Sequence, residues 1–113
     1  MRYALVLTDA EGAPLTGADT YEVTVPAGIV RDGGYFSLTV YGTDNRLLIP
    51  NPKGIYDRTT YTTELERDGT AIITVSPSGE GRNGLPADKP CYAILRAYVP
   101  VQDADIRPTF RKV

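Results

Sequence analysis

Almost every patterned stretch of the chain alternates apolar and polar positions with a period near two, as half-buried strands do. Near the start, Tyr3, Leu5 and Leu7 alternate with Arg2, Ala4 and Val6. Residues 20–25 put Tyr21, Val23 and Val25 on one face, and Pro26, with no N–H to donate to a ladder, ends the run. The clearest strand covers residues 35–41: Phe36, Leu38 and Val40 face one way, Tyr35, Ser37, Thr39 and Tyr41 the other. Gly33-Gly34 before it and Gly42-Thr43-Asp44-Asn45 after it are turn chemistry. A short strand at 46–49 is expected to return antiparallel before Pro50-Asn51-Pro52 stops it.

The second half continues in the same style. Residues 60–66 and 70–75 flank Arg67-Asp68-Gly69, a hairpin signal. Residues 91–99 close the series. Cys91, Ala93, Leu95, Ala97 and Val99 form a smooth apolar face, and Tyr92, Ile94, Arg96 and Tyr98 form the other, with Pro100 at the end. The Gly/Pro-rich residues 76–90 are expected to be a surface loop inside the domain. No stretch carries a helical stripe over three turns, although one turn fits at 102–105 or between Pro50 and Arg58. The pattern predicts an all-β fold, an antiparallel two-sheet β-sandwich or jelly roll of seven or eight strands, in one domain over residues 1–113.

Composition narrows the chemistry. A chain of 113 residues suits one domain and buries roughly 65% of its unfolded surface, enough to fold without staples. With no histidine, Ser-His-Asp and Cys-His catalysis are excluded, and the commonest transition-metal ligand is missing. One cysteine excludes an internal disulfide framework and a Cys-based zinc site. Twelve basic against 14 acidic side chains, a net charge of −2 and a pI near 5.0 give no field to attract nucleic acid. The apolar run at 4–7 is shorter than the about 7–15 residues of a signal core. Nothing approaches the ~18 apolar residues of a membrane span. The expected location is therefore the cytoplasm, with neither membrane nor nucleic acid as partner and no cofactor or metal.

Three sets of residues, in order, carry a family likeness. The first is Phe36-Ser37-Leu38-Thr39-Val40-Tyr41, then Pro50-Asn51-Pro52, then Tyr56-Asp57-Arg58. The second is Asp68-Gly69-Thr70 leading into an apolar strand. The third is Asn83-Gly84-Leu85-Pro86-Ala87, then the strand from Tyr92 to Pro100. Gly12-Ala13-Pro14-Leu15-Thr16-Gly17 and Tyr21-Glu22-Val23-Thr24-Val25-Pro26 match the lead-in. Over roughly residues 8–113 the chain resembles domain of unknown function family 1214, which often forms the C-terminal half of longer bacterial proteins behind family 1254. The resemblance implies a β-sandwich of jelly-roll character and no particular activity. The family pattern has Trp where this chain has Ser37 and Gly84. As given, the chain is expected to stand without that companion or a leader.

Arg96 is the most informative polar residue, because a desolvated guanidinium is costly unless paired. Its bidentate fork suits a carboxylate or phosphate, with Tyr98 and Tyr41 beside it on a concave sheet face. The plainer account is an ion pair with Asp57 or another acid across the sheet, or exposure to solvent. Asn51, Tyr56, Asp57 and Arg58 form a polar loop, either the rim of a pocket or a braced turn. The candidate ligand-binding set is thus Arg96, Tyr98, Tyr41, Arg58 and Asn51. Asn83 suits an Asx-turn with Gly84 behind it. Glu64 with Glu66, and Asp103 with Asp105, read as solvated surface charge. Cys91 reads as packing. The tyrosines at 35, 41, 61, 92 and 98 lack a basic groove and read as cross-strand packing.

Three functions follow. The first is a non-catalytic module working by protein–protein contact, with a second copy or a separately encoded companion domain as partner. The alternative is a site for a small anionic or sugar-like ligand built on Arg96 and its tyrosines. The third is a histidine-free enzyme.

Overall fold

In the computed structural model, which describes residues 1–113, the alternating runs become eight strands with no helix. They are β1 (Arg2–Val6), β2 (Tyr21–Val25), β3 (Val30–Gly42), β4 (Asp57–Thr59), β5 (Ala71–Ser76), β6 (Leu85–Pro86), β7 (Cys91–Pro100) and β8 (Thr109–Lys112). Two four-stranded sheets form, with orders β1-β7-β3-β4 and β6-β5-β2-β8. All neighbours are antiparallel except β5 and β6, which are parallel. The architecture is the all-β sandwich that the periodicity predicts.

Alternation decides which side chains enter the space between the sheets. From β7 these are Cys91, Ala93, Leu95 and Ala97; from β3, Phe36, Leu38 and Val40. The register sets Phe36 opposite Ala97, Leu38 opposite Leu95 and Val40 opposite Ala93, so large and small residues interleave. The second sheet answers with Tyr21, Val23, Val25, Ala71, Ile73, Val75 and Phe110, closing one core of 22 buried residues. Tyr21 buries its hydroxyl by accepting a 2.9 Å bond from the Thr16 N–H.

Several expectations are corrected. Gly33-Gly34 is not a turn before a strand; it lies within β3, where the pairing with β7 shifts register between Val30 and Tyr35. Gly33 sits at φ +82°, and a Cβ on Gly34 would lie 2.4 Å from the Tyr98 carbonyl oxygen. Opposite this bulge Val99 takes φ +54° and leaves the apolar face for solvent. The strand expected at 46–49 reduces to one bridge, Leu48 with Tyr41. The Thr-rich run at 60–66 is not a strand: residues 59–62 form a turn held by Thr59 and Thr62 hydroxyls, and pairing falls instead on Asp57–Thr59. Asp57 and Arg58 are therefore strand residues rather than loop. Residues 76–90 are not wholly surface, because Gly84, Leu85, Pro86 and Ala87 are buried and supply β6.

Candidate functional site

The outer face of the first sheet gathers most of the side chains that invite a function. Register places Tyr3, Arg96, Ser37 and Thr59 in one row across β1, β7, β3 and β4, and Leu5, Ile94, Thr39 and Asp57 in the next. Tyr98 stacks on Tyr35 with centroids 4.4 Å apart, and Tyr35 tilts against Tyr61 at 5.7 Å. Tyr41 stacks on Tyr92 at 5.4 Å. The Tyr98–Tyr35 and Tyr41–Tyr92 stacks are the cross-strand pairs that the alternation suggests, whereas Tyr61 packs on Tyr35 from the 59–62 turn.

The candidate residues do not converge. Tyr98 pairs with Tyr35, and Tyr41 lies six positions further along β3, roughly 20 Å away at the usual strand rise. Arg96 sits between them, half-buried, and its guanidinium makes neither an ion pair nor a hydrogen bond with the protein. The ion pair with Asp57 does not form. Arg58 points elsewhere. Its Nε and Nη2 donate to the Gly84 carbonyl at 2.9 and 2.7 Å, and its Nη1 donates to the Thr62 carbonyl at 2.9 Å. Asn51 braces its own loop, donating to the Ile49 and Ile55 carbonyls and accepting from the Ile55 N–H. Asn83 bonds the Glu64 and Ile72 carbonyls and accepts from the Glu64 N–H.

The other titratable groups serve packing or surface pairing. Burial pushes the Cys91 thiol up to about 11, so it stays protonated and unreactive at neutral pH. The Lys89 ammonium, 2.9 Å from Asp44, holds that carboxyl below its ordinary range. Arg82 does the same to Glu66 through a fork of 2.9 and 3.0 Å. Glu64 is exposed and does not share a strand with Glu66. No three Cys, Asp or Glu side chains meet in a way that would hold a metal ion. No helix is long and apolar enough to cross a membrane.

What the sequence reading passed over is an exposed apolar corner of the same face. Tyr3, Leu5 and Leu7 are 69, 45 and 57% exposed, and Leu47 and Leu48 are 63 and 43% exposed. An open groove of about 500 Å³ lies against Tyr3, Leu5, Leu7, Tyr92 and Ile94, with Arg46 at its rim. Around the edge of β1, a smaller hollow of about 230 Å³ separates residues 5–10 from residues 107–110. The signal was present, since residues 3–7 are apolar on both faces, and only one face of an edge strand enters the core.

The fold and this face define a two-sheet β-sandwich whose features are a free arginine, paired tyrosines and an apolar edge. The chain belongs to the family described as Protein of unknown function (DUF1214), which matches residues 1–102. No curated protein matches it. Among solved structures it is similar to the VPA0106 protein of Vibrio parahaemolyticus, at 30% identity and a TM-score of 0.83 over 98% of this chain. It shares its fold with an uncharacterized protein of Burkholderia cenocepacia, at 15% identity and a TM-score of 0.63, again over 98% of this chain. The chain spans 30 and 34% of those two proteins' own lengths.

A Cβ on Gly84 would lie 1.8 Å from the Gly79 carbonyl oxygen, so in this backbone the position admits no side chain.

Proposed function

We propose that this chain is a non-catalytic β-sandwich module that works by protein–protein contact through the β1 side of its first sheet. The observation that carries the reading is the cluster of Tyr3 and Leu5 on the edge strand β1 and Leu7 just beyond its end, three large apolar side chains all at least 45% exposed. Contiguous exposed apolar surface on a small domain marks an interaction site more often than chance. The module reading is supported by two solved relatives in which the matching part is about a third of a longer chain. We place its work in the cytoplasm, where a free buried cysteine is unremarkable. The test compares wild type with Leu5→Lys by native mass spectrometry, alone and in extract of the producing cell. Complexes that form with wild type and vanish with the variant support the reading; identical, uncomplexed spectra overturn it.

A second reading rests on Arg96, a half-buried cation with no partner in the protein. On this reading the outer face holds a small anion or acidic sugar against Arg96. Thermal-shift titration with phosphate, acetate and glucuronate is expected to raise the wild-type Tm and leave Arg96→Met unmoved. No shift with any of them removes the reading.

A further inference from the structure

We infer that the occupant of the β1 edge is a second copy of this chain, with the two β1 strands paired antiparallel across a two-fold axis at Leu5. This rests on the contact reading above and names its surface and partner. The four sheet edges differ in how they are protected. The edge strand β6 is two residues long and contains Pro86. The edge strand β4 is three residues long, its end covered by the turn at 59–62. The edge strand β8 exposes the charges of Arg111 and Lys112. These are the devices that keep edges from pairing. The fourth edge, β1, is the least protected: its one charge, Arg2, turns to the Val101 and Ala104 carbonyls, and residues 107–110 stand across a hollow from it. It runs for five residues without proline, and the outward face continuing through Leu7 carries no charge. No backbone hydrogen bond reaches its free side from elsewhere in the chain.

The size pattern favours a copy. Tyr3-Ala4-Leu5-Val6-Leu7 reads large, small, large, small, large in both directions. With the axis at Leu5, Tyr3 faces the copy's Leu7, Ala4 faces its Val6, and Leu5 faces itself. Both faces match: apolar rings and chains meet outside, and the small core residues continue the inner layer. The copy's Tyr3 arrives beside Leu7, at the mouth of the groove rimmed by Arg46. A pairing confined to one short edge strand is small beside the roughly 800 Å² per partner of a standard interface, so the dimer is expected to be weak and to depend on concentration.

The test is sedimentation over roughly a hundredfold concentration range, since dimer stability depends on protomer concentration, together with a crosslink. Leu5→Cys brings two thiols together at the axis, where antiparallel Cα separations of about 4.5–5.5 Å suit a disulfide. The native Cys91 is buried and silent, and Tyr61→Cys, beyond β4 at the opposite edge of the sheet, is an exposed control. We expect a concentration-dependent dimer, rapid linkage of Leu5→Cys but not Tyr61→Cys, and a folded monomer for Leu5→Lys. A wild type that stays monomeric, or two cysteine variants that link alike, overturns the pairing. If the wild type is monomeric alone yet binds another protein in a way Leu5→Lys abolishes, self-pairing is overturned and the contact reading stands. If no β1 substitution alters any association, both fall.

Discussion

Where β4 meets β6 the two sheets are laced together, and where β1 meets β8 they are left apart. On the laced side Arg58, from the first sheet, gives two hydrogen bonds to the buried Gly84 carbonyl beside β6 of the second. Asn83 ties the same turn to Glu64 and Ile72 with three more. On the other side the edge region has the Ala10 N–H bond to the Phe110 carbonyl at 2.8 Å, and Arg2 reaches the Val101 and Ala104 carbonyls. Between Leu5 and Phe110 the hollow stays open. Buried main-chain acceptors must be satisfied, so the laced side spends its polar side chains on stability. The open side has no such debt, and its side chains are apolar and exposed. One flank is tied by side-chain bonds, and the other leaves apolar side chains exposed.

The largest effect should come from Gly84→Ala on the laced side. Its Cβ would collide with main chain rather than with a flexible side chain, and the displacement of the 79–84 turn should cost about 3 kcal/mol. Urea denaturation gives the value; a midpoint unchanged from wild type would mean that the turn yields freely and the lacing is loose. Next comes Arg58→Met, which keeps the stem but leaves the Gly84 carbonyl unpaired. A loss of about 2 kcal/mol is expected. Hydrogen exchange should quicken at residues 83–87 while β1 amides stay as they were. Equal quickening on both flanks would erase the distinction between them.

The contrast between the flanks also explains what was legible in the sequence. In β2, β3, β5 and β7 one face is buried and one is wet, so Tyr21, Phe36, Ile73 and Leu95 announce themselves by alternation. The laced side was harder. The edge strand β4 is too short to show a period, while Thr-rich residues 60–66 imitate one, and only the side-chain bonds of Thr59 and Thr62 decide for a turn. The pair Leu85–Pro86 hides within Gly and Pro signals. The last strand, β8, offers a single apolar residue, Phe110, and went unseen. For the open side the strand itself was readable. Its outward face was not, because Ala4 and Val6 are as apolar as Leu5 and Leu7. Only pairing with β7 settles that Ala4 faces Leu95 within the core layer. Arg96 was correctly placed among Tyr92, Ile94 and Tyr98, but its lack of an acidic partner is a fact of three dimensions.

On the open side the expected effects on stability are small. Leu7→Thr removes exposed apolar surface and should change unfolding free energy by within about 0.5 kcal/mol. Association should nevertheless weaken, read by sedimentation against wild type. A large loss of stability would show that Leu7 is held by the fold, and the open flank would then not be open.

The smallest effect lies at the rim of the laced side and depends on pH. Arg82 holds the Glu66 carboxyl below its ordinary value of 4.5 by a two-bond fork. A depressed folded pKa favours the ionised form in the native state, so the pair contributes above the ordinary value and loses its contribution as pH falls through the folded one. Both groups are exposed and screened, so the effect is slight. The measurement is the urea midpoint of wild type minus that of Arg82→Gln, followed from neutral pH downward. The difference should favour wild type at neutral pH and shrink to nothing in acid. Subtraction cancels Asp44 and Asp68, whose carboxyls are also depressed, by Lys89 and by the Thr70 N–H. A difference independent of pH would assign Arg82 a packing role instead. The Arg58 bonds end on a carbonyl, which does not titrate in this range. Acid should therefore loosen the rim of the laced flank and spare its centre.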